Sequence, residues 1–110
     1  MRGDSVVIAR GNIGNIYYSE TSKSEPIVSF LLCIERNAFD CTWIKCHAYD
    51  RPAIYLKKSL RKGDYVIVNG ELINKNTKTG DSKEIDLKVF KVDIIKMGNK
   101  GNEHDTNEEF

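Results

Sequence analysis

The sequence of 110 residues predicts an all-β domain of five strands with one short helix. Apolar and polar residues alternate in five separate segments, which is the period of a strand with one buried face. Apolar residues have helical spacing in one further segment, between the third and fourth strands. Glycines interrupt the first strand, as expected where a sheet bends to close into a barrel. A chain of this length forms one compact domain.

The first three predicted strands lie in the N-terminal half of the chain. They are Ser5–Tyr18, Ile27–Glu35 and Thr42–Tyr49. Strand one bends at Gly11 and Gly14, and a polar loop closed by Pro26 connects it to strand two. Residues 36–41 form a short connection to strand three. Strand three has the cleanest alternation of apolar and polar residues in the chain.

One short helix is predicted after the third strand. Asp50 suits the N-cap position, and Pro52 suits the first turn. The apolar residues at helical spacing are Ala53, Leu56 and Leu60. Ile54 and Tyr55 are also expected in the core. Basic residues crowd the C-terminal end of the helix, where cations suit the helix dipole, and Gly63 suits the C′ position.

The last two predicted strands, Asp64–Asn74 and Lys83–Lys96, flank a hairpin loop. Residues 97–110 contain few apolar side chains and are expected to form a disordered tail. Three strands, a helix and two strands are the elements of an OB-fold barrel in their usual order. We therefore expect an OB-fold domain over residues 1–96. An SH3-like barrel and a β-sandwich are alternatives, but neither explains a helix in that position.

Charge differs between the predicted domain and the tail. Residues 1–96 contain 16 basic residues (Lys and Arg) and 12 acidic residues (Asp and Glu). Residues 97–110 contain one basic residue and four acidic residues. A mildly basic body suggests a polyanionic partner, and an acidic tail suggests a separate role.

The sequence also predicts the cellular compartment. Its apolar stretches are too short to cross a bilayer, and it opens with no secretory leader. The three cysteines, Cys33, Cys41 and Cys46, are an odd number, which favours reduced thiols over a disulfide scaffold. We therefore expect a cytoplasmic protein.

The third strand has two chemically different faces, because side chains alternate along a strand. The face suited to a barrel interior consists of Thr42, Ile44, Cys46 and Ala48. The opposite face consists of Trp43, Lys45, His47 and Tyr49. Several aromatic rings in a row are costly to expose to water. On a nucleic-acid surface, each ring can stack on an unpaired base, which contributes about 1–3 kcal/mol, and a neighbouring cation can bind a phosphate. The second face therefore predicts a single-strand nucleic-acid surface. The alternative is that Trp43 and Tyr49 pack under a loop, under the helix or in a subunit interface.

Several residues outside this strand are further candidates for the same surface. Phe39 either folds over it or plugs the end of the barrel. Arg10 interrupts an apolar strand and suits a phosphate contact or an interface ion pair. Tyr17 and Tyr18 cannot both face the core, so one of them is exposed. The lysines of the last hairpin that suit phosphate contacts are Lys75, Lys78 and Lys83.

The sequence gives no pattern for catalysis or for a metal. Cys46 and His47 lie on opposite faces of one strand, and no Cys-x-x-Cys pair is present. Phosphate-binding, nucleophile-elbow and metalloprotease motifs are also missing. Two histidines offer little for acid–base chemistry. We therefore expect a binding protein without a cofactor rather than an enzyme.

Five segments resemble the bacterial and phage single-stranded DNA-binding protein (SSB) family. They are Val7–Gly14, Pro26–Arg36, Thr42–Tyr49, Tyr55–Lys58 and Lys62–Leu72. The last segment is similar to the family's Lys-Gly-x-x-Val-x-Val-x-Gly-x-Leu strand and is the most specific. Trp43 and Tyr49 occupy the places of the family's third-strand aromatics. The resemblance covers about residues 5–95.

The resemblance implies sequence-independent binding of single-stranded DNA in replication or recombination. It also implies a homo-oligomer, a tetramer or a dimer, with strand one at the interface. The chain ends in Glu108, Glu109 and Phe110, similar to the family's acidic tip that recruits replication and repair proteins. The family's Ile-Pro before the final Phe is missing and the linker is short, which suggests a phage or plasmid version. The alternatives are a primosome-type OB-fold accessory protein and an interaction module whose aromatic face is a protein interface.

Overall fold

The elements of the computed structural model follow the predicted order. The structure describes residues 2–74 and 84–98. Its elements are β1 (Val7–Glu20), β2 (Pro26–Asn37), β3 (Asp40–Tyr49), α1 (Asp50–Ser59), β4 (Tyr65–Asn74) and β5 (Ile85–Lys96). The strand boundaries differ from the predicted ones by one or two residues, most visibly where β1 continues to Glu20. The predicted hairpin loop and most of the predicted tail lie outside the described residues.

The five strands form a closed barrel in the order β1-β2-β3-β5-β4. The first half of β1 pairs with β4 and its second half pairs with β2, both antiparallel. A short parallel pairing of Cys46–Ala48 with Leu87–Val89 joins β3 to β5 and completes the ring. This closed five-stranded barrel with a helix between its third and fourth strands is an OB-fold, as predicted.

Two glycines allow strands to approach closely where the barrel bends. A Cβ atom on Gly11 would lie 2.2 Å from the carbonyl oxygen of Cys33, and one on Gly70 would lie 2.2 Å from that of Lys88. Neither position has room for a side chain. β1 therefore bends from β4 to β2 at a residue that only glycine fills without moving the backbone.

The core fills the barrel and the space below α1. Its largest fully buried side chains include Phe30, Ile13, Leu32 and Leu56. Ala53 and Leu56 face the barrel from α1. The prediction that Ile54 and Tyr55 belong to the core is wrong, because they are 49% and 58% exposed. The helix is only ten residues long and packs along one face, so the residues between Ala53 and Leu56 point towards solvent.

The ends of α1 differ from the predicted caps. Tyr49, in an extended conformation, is the N-cap and makes no side-chain capping bond. Asp50 is the first helical residue, with a φ of 58° that turns the chain directly from strand into helix. Gly63 is not the C′ residue, because the helix ends with Leu60 as its C-cap. Gly63 instead has a φ of 94° in the turn before β4, a conformation that favours glycine.

The prediction of three reduced cysteines is wrong for two of them. Cys33 and Cys41 form a disulfide, with their Cα atoms 6.4 Å apart, and Cys46 is free and buried. The pairing of β2 with β3 places Cys33 opposite Trp43, two residue pairs inwards from Cys41 and therefore on the same face. An odd number of cysteines does not exclude one pair, and only the strand register brings these two together.

The structure also shows whether any helix could cross a membrane. No helix in residues 2–74 and 84–98 is long and apolar enough to span a membrane.

Candidate nucleic-acid interface

The aromatic and basic side chains of β3 lie on the outer face of the barrel. Cys46 and Ala48 are fully buried in the core, and Ile44 packs against it, as the alternation predicts. Thr42 is exposed, contrary to its predicted interior position, because it lies on the part of β3 that extends beyond the pairing with β5. The other face therefore carries four candidate binding residues. They are Trp43, Lys45, His47 and Tyr49.

This outer face continues onto the neighbouring strand β2. The register places Leu31 opposite Lys45 and Ser29 opposite His47. Trp43 and Tyr49 are six residues apart, so they mark the ends of a surface about 20 Å long. We call the outer face of β2 and β3 between these two rings the β3 face.

The indole of Trp43 lies against the backbone of β1. A Cβ atom on Gly14 would lie 3.0 Å from the ring atom Cζ3 of Trp43 and 3.4 Å from Cβ of Leu31. The ring therefore crosses β2 and reaches the glycine, while Trp43 as a whole remains 49% exposed. A large aromatic ring supported from behind and open to solvent in front is suited to stacking on a base.

His47 is held by hydrogen bonds on both of its ring nitrogens. Its Nε2 lies 2.6 Å from Oδ2 of Asp86 on β5, and its Nδ1 lies 2.8 Å from Oγ of Ser29 on β2. Asp86 is 6% exposed. These three residues fix the orientation of the imidazole on the β3 face. No sequence pattern indicates Ser29 or Asp86 as part of this site, because only the closed barrel brings β2, β3 and β5 together at this point.

Tyr49 lies at the other end of the β3 face, beside the loop between β1 and β2. The half-buried Tyr49 lines a depression together with Glu25, Ile73 and Lys88. Two acidic side chains, Glu25 and Asp50, and one basic side chain therefore border this end of the face. Lys88 was not among the predicted contacts, and its position follows from the parallel pairing of β5 with β3, in which it is the partner of His47.

Phe39 lies at the tip of the β2–β3 hairpin and is 98% exposed. Its backbone N–H donates to Oδ1 of Asn37 at 2.8 Å, and an ion pair between Arg36 and Asp40 spans the same turn. Phe39 therefore does not plug the barrel, which was one of the two predicted roles. It projects into solvent beyond the Trp43 end of the β3 face.

The remaining described candidates lie on β1. Tyr17 and Tyr18 are 56% and 52% exposed. The alternation along the strand predicted that one of them is exposed, and in the structure both are. Tyr17 lines a depression with Lys45 and His47, which places it beside the β3 face. Arg10 points outwards and lines a separate depression with Arg36. The structure therefore groups Tyr17, and not Arg10, with the middle of the β3 face.

Six predicted residues fall outside the described part of the chain. They are Lys75, Lys78, Lys83, Glu108, Glu109 and Phe110.

Comparisons with known proteins agree with this architecture. The Single-strand binding protein family matches residues 4–97, and no curated protein matches the chain. The fold is similar to a mitochondrial single-stranded DNA binding protein from S. cerevisiae, Rim1, with a TM-score of 0.74 and 16% identity over 89% of this chain and 100% of that one. It is also similar to a small single-stranded DNA-binding protein from Streptomyces coelicolor, with a TM-score of 0.69 and 20% identity over 84% and 94% of the two chains.

Identities this low show a shared fold, whereas the family match rests on the sequence itself. That match covers every strand of the barrel and the helix. The chain belongs to the single-strand binding protein family.

Proposed function

We propose that this protein binds single-stranded DNA without sequence preference, through the β3 face. The observation that carries the proposal is a row of aromatic, basic, imidazole and aromatic side chains on the outer face of one strand, in a chain of this family. The first two are exposed and the last two are half-buried. Flat rings stack on every base, so such a surface does not depend on sequence. Tyr17 widens it beside Lys45, and Phe39 extends it beyond Trp43.

In this proposal stacking and charge have separate roles. Each base stacked on Trp43 or Tyr49 contributes about 1–3 kcal/mol. Lys45 and Lys88 neutralise phosphates, and the release of counterions makes this part of the affinity fall with salt. The lysines Lys75, Lys78 and Lys83 would add phosphate contacts from the β4–β5 connection, and Arg10 would add one from β1. No chemical step is required of any of these residues.

We further propose a homo-oligomer, a dimer or a tetramer, that associates through β1. Ile8, on the outer side of β1, is 67% exposed, and Val6 just before the strand is 83% exposed. Burial of these side chains against a second copy would remove apolar surface from water. One barrel offers a β3 face of about 20 Å, so several linked faces would hold a strand more tightly than one.

The tail and the cellular role complete the proposal. Residues 1–96 form the binding domain, and the acidic tip Glu108-Glu109-Phe110 recruits replication or recombination proteins by charge and by its terminal ring. The setting would be the cytoplasm of a bacterial host, with the protein encoded by a phage or plasmid. Support for this part comes from the sequence of residues 97–110 and its likeness to the family's tail.

Fluorescence of Trp43 tests the central proposal directly, because it is the single tryptophan of the chain. We expect oligo-dT to quench its emission strongly, a duplex of equal length to have little effect, and added salt to reverse part of the quenching. Absence of quenching, together with absence of a shift of labelled oligo-dT in a gel, would contradict the proposal.

Variants distinguish DNA binding from the interaction-module alternative. Anisotropy of labelled oligo-dT should show weaker binding by Trp43→Ala and Lys45→Ala, whereas Lys57→Ala on α1 serves as the matched lysine control. Sedimentation should show the same oligomer for Trp43→Ala as for the parent chain. If Trp43→Ala instead dissociates the oligomer, the aromatic face is a protein interface.

A further inference from the structure

We propose that the depression in the middle of the β3 face is a base subsite that distinguishes amino-bearing bases from thymine through Ser29. This inference rests on the proposed function, because it assigns a chemical preference to one part of the same surface. The depression holds about 350 Å³ and is lined by Tyr17, Ser29, Phe30, Leu31, Lys45 and His47.

The position of the depression places it on the path of a bound strand. Lys45 and His47 lie between Trp43 and Tyr49 on β3, so DNA that reaches both rings passes over it. Leu31 provides an apolar surface opposite Lys45 in the register of β2 with β3. Apolar walls with a few fixed polar groups are typical of ligand sites.

The hydrogen bonds around His47 determine what Ser29 offers to a ligand. An ionised carboxylate only accepts, so Nε2 of His47 carries the hydrogen that Asp86 receives at 2.6 Å. In the neutral imidazole Nδ1 is then an acceptor, and the hydroxyl of Ser29 donates to it at 2.8 Å. The hydrogen of the Ser29 hydroxyl is therefore already used. Ser29 lines the depression, so its oxygen is left to act there as an acceptor.

An acceptor at this point favours bases that carry an exocyclic amino group. Cytosine presents an N4 amino donor, whereas thymine presents the O4 acceptor at the same edge. Lys45 borders the depression and supplies the cation for the adjoining phosphate. The subsite therefore adds a hydrogen bond for cytosine that thymine cannot form. This preference is superimposed on stacking, which is indifferent to sequence.

The test compares oligo-dC with oligo-dT at pH 8 by anisotropy of labelled DNA. We expect Ser29→Ala to weaken the binding of oligo-dC by about two- to tenfold more than that of oligo-dT, the range of one hydrogen bond. Oligo-dC and oligo-dT differ in flexibility, which affects their affinities for every protein variant alike. Comparing the ratio of the two affinities between variants cancels this effect. Ser59→Ala, which removes a hydroxyl on α1 that bonds to the carbonyl of Tyr55, is the matched control and should leave the ratio unchanged.

Each outcome has one meaning for the subsite. An equal loss for both DNAs would show that Ser29 only orients His47, and it would overturn the inference. An unchanged ratio with unchanged affinities would overturn it too. Failure of the parent protein to bind oligo-dT at all would refute the proposed function itself, which the variant comparison does not test. A thermal melt of Ser29→Ala verifies that the barrel is intact.

Discussion

The orientation of Trp43 depends on a residue that has no side chain. Gly14 leaves space for the indole to lie across β2 against the backbone of β1. His47 is oriented in a different way, by hydrogen bonds from strands on both sides of β3. Residues of neighbouring strands therefore orient both Trp43 and His47 on the β3 face. Pre-oriented side chains lose less entropy when a ligand binds.

Substitution of Gly14 by Ala should weaken binding of oligo-dT by up to about 1 kcal/mol, part of the free energy of one stacked base. The added methyl group would lie 3.0 Å from the Trp43 ring, so the ring must move away from β1. Anisotropy titration measures the loss, and the Trp43 emission maximum reports the movement. Gly3→Ala is the matched control, because nothing lies within 4 Å of that position. An affinity equal to that of Gly3→Ala would show that the ring position has no effect.

Cys46 should make the folded protein less stable in alkali. Burial, with a smaller effect of the Asp86 charge, raises the pKa of its thiol from 9.0 to about 12. Between these values the unfolded chain loses a proton that the folded chain retains, so the free energy of unfolding falls as pH rises. The loss attributable to Cys46 should be about 1 kcal/mol by pH 10, and almost none should occur below pH 8.

Urea unfolding of the parent chain and of Cys46→Ala at pH 8 to pH 10.5 measures this contribution. The variant starts less stable because a methyl group replaces a buried thiol, but its stability should fall less steeply with pH. If the free energy of unfolding falls with pH equally in the two proteins, titration of Cys46 is not the cause of the fall.

The β2–β3 hairpin extends beyond the barrel and has a covalent link of its own. It carries Trp43 on its outer face and Phe39 at its tip, and the Cys33–Cys41 disulfide links its two strands between them. The ion pair of Arg36 with Asp40 is exposed and adds little stability. The covalent link therefore adds to the backbone pairing of the two strands in the part of the hairpin that extends beyond the barrel.

Loss of the disulfide should lower the free energy of unfolding by about 2.5 kcal/mol, the loop-entropy value for cysteines eight residues apart. The comparison is between the oxidised parent chain and the double variant Cys33→Ser/Cys41→Ser in urea. Alkylation of the denatured oxidised chain should modify Cys46 alone, and prior reduction should expose all three thiols. Modification of three thiols without reduction would contradict the disulfide.

One buried carboxylate connects the turn before β4 to the segment that follows β5. Asp64 is fully buried between α1 and β4. Its Oδ2 accepts from the backbone N–H of Arg61 at 2.9 Å, and its Oδ1 accepts from that of Gly98 at 2.7 Å. The chain therefore leaves the barrel at a fixed point beside the turn before β4. In the proposed function, this is where the tail would begin.

Asp64→Ala should lower the free energy of unfolding by about 2–4 kcal/mol, because two buried N–H groups lose their acceptor. Asp93→Ala is a suitable control, since the side chain of Asp93 is 52% exposed and its ion pair with Lys91 is long at 3.7 Å. The control should change stability by less than about 0.5 kcal/mol. Equal losses in urea unfolding would show that Asp64 is not a structural anchor.

The order of the elements and the two faces of β3 follow from local sequence patterns. Period-two alternation is a local property, so the separation of Trp43 and Tyr49 from Cys46 and Ala48 needed no knowledge of other strands. The same local reasoning failed for Asp50 and for Tyr55, where the junction with β3 and the shortness of the helix decided the outcome.

Tertiary structure decided which distant residues meet on that face. Asp86 lies 39 positions from His47, and the two touch because closure of the barrel sets β5 beside β3. The disulfide and the contact of Trp43 with Gly14 likewise depend on strand register, which a pattern of alternation leaves free to shift by two residues. Alternation assigns a residue to a face of its own strand. Only the pairing of strands assigns its neighbours, because those lie on other strands and are brought close by the closed barrel.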